Sequence, residues 1–454
     1  MIKANDYVKG LYGSDYIDSS LYGKHNVKRG LRNDNNSGVL VGLTRVGEVH
    51  GYILSEDEQQ PVEGKLFYRG IDVEDIVNNA LSEGRFGFEE VVYLLLFGEL
   101  PNADELDKFS RLISENRSLP PGFAEDSIMK VPSRDIMNKL ASSVLTLYSY
   151  DDDPENISVE NVLRQCLELI ARFPTIVAYA YRTKRHYFNK ASLILHQLNP
   201  EYNTAETILS LMRRDQQFTR FEAEILDLAL MLHAEHGGGN NSTFAVHLVT
   251  SAETDTYSAI SAGLASLKGR RHGGANYKVV GMIEAIKRNV VHWDSETELR
   301  NYLVKVLRRQ AYDKSGIIYG LGHAVYTVSD PRAVILREKA AILAADKNCT
   351  EEYELYRLVE KIGPVLIKEM RRSEKNLCAN VDLYSGLIYK MLGITEELYT
   401  PIFAVSRLAG WCAHRLEEII AGGRIIRPAY KCVQEHRAYT KIGDRGPVGL
   451  ISNP

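Results

Sequence analysis

The sequence predicts a mostly α-helical protein large enough for two domains, on three observations. Its 454 residues exceed an ordinary single domain. Prolines number only 14, roughly 3% against a usual ~5%, and long stretches are rich in helix formers. Glycine clusters recur where helices would end: Gly237 to Gly239, Gly273 to Gly274, Gly320 with Gly322, and Gly422 to Gly423. Three of these four stand beside a histidine.

Taken in order, the first forty residues, rich in Tyr, Gly, Asn and Asp, predict an irregular arm. The stretch VLVGLTRVGEVHGYI (39–53) has β-branched residues and internal glycines, and is the best candidate for a β hairpin. From FEEVVYLLLFGELP (88–101) onward, helical signals dominate. In PNADELDKFSRLISEN, Asn102 suits an N-cap, and Leu106, Phe109 and Ile113 fall on one face. VLRQCLELIARF repeats the pattern through Leu163, Cys166, Leu167 and Ile170. DDDPEN (151–156) is a polar break too short for a domain linker, and there is no internal repeat or low-complexity tract.

Composition excludes several classes. With 55 basic and 59 acidic residues the formal charge is −4, so no basic excess points to nucleic acid. The five cysteines (Cys166, Cys349, Cys378, Cys412, Cys432) are odd in number, scattered and never in a CxxC pair. That argues against a disulfide framework and for a reducing compartment. The first twenty residues carry neither a signal-peptide apolar core nor an Arg-rich transit pattern, and no apolar run reaches membrane-span length. A cytoplasmic protein is expected, with neither nucleic acid nor membrane as a partner.

Four segments bring a titratable side chain beside residues that allow sharp turns. They are HAEHGGGNNSTF (233–244), LKGRRHGGAN (267–276), YGLGHAVYTVSDPR (319–332) and NLCANVDLYSG (376–386). Taken singly each is a weak signal, since a lone histidine near glycine is more often a hydrogen-bonded structural residue. A metal hydrolase built on His233 and His236 is one reading of the first segment. However, HAEH has neither the HExxH nor the HxxEH spacing, and no cysteine lies near it to complete a ligand set.

In this order and spacing, and followed by FAVSRLAGW and RIIRPAY, the segments resemble the citrate synthase family. KLFYRGIDVEDI (65–76) and FEEVVYLLLFGELP extend the resemblance into the N-terminal half. The resemblance implies an all-α fold with a minor N-terminal β hairpin, a large helical domain (1–274 and 392–454) and an inserted small one (275–391). It also implies the condensation of acetyl-CoA with oxaloacetate and water to citrate and CoA, with no cofactor beyond acetyl-CoA as co-substrate. A proton α to a thioester is so weakly acidic that a base alone is inadequate; a donor is needed where charge develops on the thioester oxygen. By motif, Asp382 matches the family's base, His272 the donor to the enol or enolate, and His323 the histidine that polarises the ketone. His236 matches an oxaloacetate ligand, while Arg332, Arg407 and Arg427 match the substrate arginines, whose forks suit carboxylates.

Arg427, by resemblance, serves the neighbouring subunit, which implies a homodimer. Asn240 and Ser242 would shape the helix junction beside the catalytic histidine, and His233 would be a packed, hydrogen-bonded neighbour. No residue is assigned to a metal. For CoA, Gly322 and Ala324 of GLGHAV would offer backbone groups to the adenine, with Arg271 and Arg29 as candidate phosphate contacts. Many family members carry Lys or Arg where this chain has Thr327, so its anchoring charges depart from the family pattern. The same machinery implies 2-methylcitrate synthase, using propionyl-CoA, as the rival enzyme. A non-catalytic sensor of oxaloacetate or CoA is the rival outside catalysis.

Overall fold

The computed structural model describes residues 16–34, 37–55, 58–372 and 376–445. The first fifteen residues of the expected irregular arm lie outside these. Two compact units are distinguished: residues 1–42 with 427–454, and 43–426. This division falls at the termini and does not bear on the expected boundaries after residues 274 and 391.

In the terminal unit, helix α1 (Ser20–Lys24) starts where the Asp18 carboxylate accepts from the Ser20 N–H at 2.8 Å. Arg29 lies over the Tyr22 ring at 4.7 Å, and Arg32 and Gly38 form an antiparallel bridge.

The central unit opens with a three-stranded antiparallel sheet of β1 (Gly47–Ser55), β2 (Glu58–Tyr68) and β3 (Ile71–Asp72). The β1–β2 register runs from Gly47 opposite Tyr68, with an irregularity between His50 and Tyr52. The expected hairpin is therefore present, but its first strand begins at Gly47; residues 39–46 are not strand.

Helices follow without interruption by further strands among the described residues. They are α2 (Val73–Ser82), α3 (Phe88–Phe97), α4 (Ala103–Glu115), α5 (Ile136–Leu147) and α6 (Val159–Asn189). Next come α7 (Thr204–Met212), α8 (Arg220–His233), α9 (Asn241–Thr250), α10 (Thr256–Leu267) and α11 (Ala275–Asn289). The last are α12 (Glu296–Leu307), α13 (Pro331–Asp346), α14 (Thr350–Arg371), α15 (Val381–Met391) and α16 (Tyr399–Ala421).

Local chemistry explains where these helices start. Asn102 caps α4 in a reciprocal box with Glu105, a device worth about 1 kcal/mol. Phe109 and Ile113 are buried as the periodicity requires, and Cys166 and Ile170 are buried on α6. The central spine is α16, which packs against α3, α6, α8, α9 and α10. Its Trp411 and Leu408 are fully buried. Farther along the chain, α15 packs on α11 and α13, and α12 on α14. Among the described residues no helix is long and apolar enough to cross a membrane.

Candidate active site

Three turns carry His236, His272 and His323, and three helices, α13, α15 and α16, carry Arg332, Asp382 and Arg407. The first turn leaves α8 at His233 and enters α9 through Asn240, whose side chain accepts from the Ser242 N–H. Gly237, at φ +82°, takes the left-handed conformation that lets the chain reverse here and present His236.

The second turn joins α10 to α11. The Gly273 N–H donates to the Leu267 carbonyl at 2.9 Å, and a Cβ on Gly273 would lie 2.2 Å from that oxygen. Only glycine fits, and the tight return fixes His272 next to it.

The third turn, residues 320–323, is pinned onto the chain just before α15. Gly322 N–H donates to the Cys378 carbonyl at 2.8 Å, and Asn380 N–H to the Gly320 carbonyl at 2.9 Å. The Asn380 side chain does two jobs: its amide donates to the Gly322 carbonyl at 2.9 Å and its oxygen accepts from the Asp382 N–H at 3.1 Å. His323 and Asp382, 59 positions apart in sequence, are thereby held on adjoining backbone.

The side chains converge. His236 Nε2 lies 2.9 Å from His323 Nε2. His323 Nδ1 accepts from the N–H groups of Val325 and Tyr326, both at 3.1 Å, so its proton belongs on Nε2. Tyr326 stacks on the same ring with centroids 4.6 Å apart and supports it from behind. His272 Nε2 lies 3.0 Å from Ser242 Oγ, which accepts from the Trp411 indole N–H at 3.3 Å and lies 2.9 Å from Asn240 Oδ1.

Arg332 and Arg407 are almost wholly buried. Arg332 makes a two-pronged pair with Asp330, at 3.0 and 2.8 Å. Asp330 also caps α13 through the Arg332 N–H and accepts from the Val381 N–H at 3.2 Å, tying α13 to α15. Arg407 donates through Nε to the His233 carbonyl at 2.8 Å and lies over Phe403, while its buried Nη1 has no partner. An unpaired guanidinium nitrogen in a dry setting is a ready donor for an anionic ligand.

Electrostatics follow from this crowding. Burial pushes Asp382 up to about 6, with Arg332 and Arg407 opposing and Asp330 assisting. Burial and the positive charge of Arg407 lower His272 to about 4, so it is an uncharged imidazole at neutral pH. His236 is held well below its ordinary value by burial, with Arg332, His323, Arg407 and His272 adding to the effect. Burial lowers Arg407 to about 10, with Glu235 opposing; Arg332 is raised, because Asp330 outweighs the cost of burial. The arrangement can do two things: bind carboxylates in a dry, positively charged site, and offer a carboxylate base beside neutral imidazole donors.

The structure thus brings together His236, His272, His323, Asp382, Arg332 and Arg407. Gly322 adjoins them at φ +89°, while Ala324 and Arg271 are exposed nearby in sequence. Arg29 and Arg427 belong to the terminal unit and are both exposed there. His233 departs from expectation. It is packed at 4.6 Å from the Phe403 ring, but neither ring nitrogen has a hydrogen-bond partner. Burial, reinforced by Arg332 and Arg407, keeps it neutral, which makes such packing tolerable.

Among the described residues no three His, Cys, Asp or Glu side chains gather as a metal ion requires. A surface cleft of about 680 Å³, lined by Asp75, Glu83, Arg85 and Asp107 among others, contains none of the candidate residues. Sequence reasoning missed Asp330, Asn380 and Tyr326. The Asp-Pro-Arg spelling signals a capped helix start, but gives no hint that the cap also holds an arginine.

Comparison with known proteins adds independent findings. The family description "Citrate synthase, C-terminal domain" matches residues 35–429. A citrate synthase of Haloferax volcanii is 34% identical over 427 residues, covering 92% of this chain and 99% of that protein. A 2-methylcitrate synthase of Shewanella oneidensis is 31% identical over 368 residues, covering 80% of this chain and 87% of its own. Among solved structures, the citrate synthase of the thermophilic archaeon Thermoplasma acidophilum, in a ternary complex with carboxymethyl coenzyme A and oxaloacetate, is similar with TM-score 0.75. It is 26% identical, and the match covers 92% of this chain and 99% of that one.

Proposed function

The chain belongs to the citrate synthase family, and on that premise we propose that it condenses acetyl-CoA with oxaloacetate and water to give citrate and CoA. The observation that carries this reading is the convergence of Asp382, His272 and His323 with His236 and two buried arginines.

Asp382 takes a proton from the methyl carbon of acetyl-CoA. A carboxyl group near 6 is ionised at neutral pH, yet is a stronger base than an ordinary aspartate. His272, uncharged, donates from Nδ1 to the thioester oxygen as enolate charge develops; for this the Ser242 hydroxyl turns its proton from Asn240 to His272 Nε2, which also orients the ring. The enolate carbon attacks the ketone carbon of oxaloacetate, forming the new C–C bond as the C=O π bond breaks, and His323, with its proton on Nε2, donates to the ketone oxygen and protonates the resulting alkoxide. Arg332, Arg407 and His236 bind the oxaloacetate carboxylates, with Arg427 of the neighbouring subunit completing the set in a homodimer. Water then cleaves the thioester. No resident cofactor is required, and acetyl-CoA is a co-substrate whose adenine falls to backbone groups at Gly322 and Ala324, with Arg271 as a phosphate contact. The five cysteines, all free, fit a cytoplasmic setting.

Asp382 and His323 lie in the 275–391 segment, whereas His236 and Arg407 lie outside it. We take that segment as the small domain, so that closure assembles the site and shields the enolate from water. Oxaloacetate then binds first; tight acetyl-CoA binding in its absence would overturn that order.

The 2-methylcitrate synthase among the relatives supports propionyl-CoA as a second reading. One methylene alters discrimination by only about 1–3 kcal/mol. Thiol release with oxaloacetate and either acyl-CoA decides: a higher kcat/KM for acetyl-CoA supports citrate formation, and a higher value for propionyl-CoA replaces it.

A further inference from the structure

Directly behind the His236 turn lies a fully buried ion pair that the reaction as derived does not use. Glu235 Oε1 and His414 Nε2 are 3.0 Å apart, and both side chains are completely inaccessible. Glu235 Oε1 also accepts from the Gly237 N–H, so this one carboxylate oxygen closes the turn around His236. Room has been made for it. A Cβ on Gly410 would lie 2.4 Å from Glu235 Oε2, and one on Gly47 would lie 2.6 Å from its Cγ.

Hydrogen-bond geometry dictates the protonation of the histidine. His247 Nδ1 lies 2.8 Å from the Glu418 carboxylate, which can only accept, so the His247 proton is on Nδ1 and its Nε2 is bare. That bare nitrogen is 3.1 Å from His414 Nδ1. His414 therefore faces an acceptor at each ring nitrogen and must donate from both, as an imidazolium. Glu417, from the same helix, stands 3.7 Å from Nδ1, and is itself fixed by the Arg45 N–H at 2.6 Å. The electrostatic balance agrees. Burial opposes the charge, but Glu235 and Glu417 raise His414 to about 9, while His414 and Arg407 hold Glu235 below the ordinary carboxylate range.

On α16, Arg407, Trp411 and His414 fall at i, i+4 and i+7, one stripe of the helix. Arg407 addresses the substrate site, Trp411 reaches His272 through Ser242, and His414 reaches the His236 turn through Glu235. One rigid helix thus braces three parts of the site.

We propose that His414, held as a cation between Glu235 and His247, is a positioning residue for the oxaloacetate site, acting through Glu235 on the turn that aims His236 and on the charge balance of Arg407. The inference rests on the citrate synthase reading. It is tested in the full-length protein with His414→Ala, His414→Gln, which keeps a donor toward Glu235, and the double variant Glu235→Leu/His414→Leu. The double variant removes both charges together, so it folds even where an unpaired buried carboxylate does not. CoA release gives kcat and each KM, and quenching of Trp411 fluorescence reports oxaloacetate binding.

The expected result is a rise of about 20-fold or more in KM for oxaloacetate in His414→Ala and in the double variant, with kcat within about fivefold of the unsubstituted protein. His414→Gln should recover most of the loss, and KM for acetyl-CoA at saturating oxaloacetate should stay within about threefold. An oxaloacetate KM within twofold of the original in the double variant overturns the inference, as does a fall in kcat with KM unmoved. If the unsubstituted protein shows no oxaloacetate-dependent CoA release, the functional reading itself fails and the inference falls with it.

Discussion

The two substrate sides of the site are built differently. On the oxaloacetate side of the central unit the two arginines are buried and pinned, Arg332 by Asp330 and Arg407 by the His233 carbonyl, and the His236 turn is held by Glu235; Arg427, in the terminal unit, is exposed. On the acyl-CoA side, Arg271 and Ala324 are exposed. The contrast teaches where binding energy has to be precise. A small dianion is recognised through a few buried charges whose placement cannot drift, whereas a large nucleotide spreads its contacts over surface groups that are individually dispensable.

The largest effect should come from removing the base. Asp382→Asn should lower kcat by about 10³-fold or more in a thiol-release assay. It should also stabilise the fold. The folded-state pKa of Asp382, about 6, lies above its ordinary value of 3.8, so ionising this group costs stability as pH rises from about 4 to 6. At pH 7 the Asn variant should melt roughly 1–3 °C higher, and below pH 4 the gain should vanish.

Next, Arg407→Gln should raise KM for oxaloacetate by about 100-fold, because a buried forked donor is lost from an otherwise pinned site. Little change would mean that the buried side is not the tightly determined one. Smaller again, Gly273→Ala should lower kcat by about tenfold and cost about 1–3 kcal/mol in denaturant unfolding, since its Cβ would strike the Leu267 carbonyl and displace His272. The smallest change is expected from Arg271→Ala: KM for acetyl-CoA should rise by about threefold or less, with kcat unchanged. A 30-fold rise would erase the contrast between the two sides.

Much of this organisation was legible from residue order. The α4 cap at Asn102 and its buried face at Phe109 and Ile113 followed from helical period and N-cap chemistry, both local properties. The glycines at 237, 273, 320 and 322 marked the turns because backbone geometry leaves a local signature. What stayed hidden was non-local. Nothing in HAEH says that Glu235 pairs with His414, 179 positions away. Nor does SDPR say that Asp330 reaches back to Val381. The unpartnered ring of His233 was misjudged because an imidazole that is kept neutral can be packed against Phe403 without a hydrogen bond, and only three-dimensional burial reveals that. The start of β1 at Gly47 was missed because β-branched Val39 and Val41 resemble a strand locally, while pairing is decided by the partner β2.

The most direct measurement is the pH dependence of kcat/KM for acetyl-CoA at saturating oxaloacetate. With Asp382 as the base, raised by burial, activity should be level at neutral pH and fall tenfold per pH unit below an acid limb near 6. A profile that stays flat down to pH 4.5 would contradict the assignment of the proton-abstracting carboxylate.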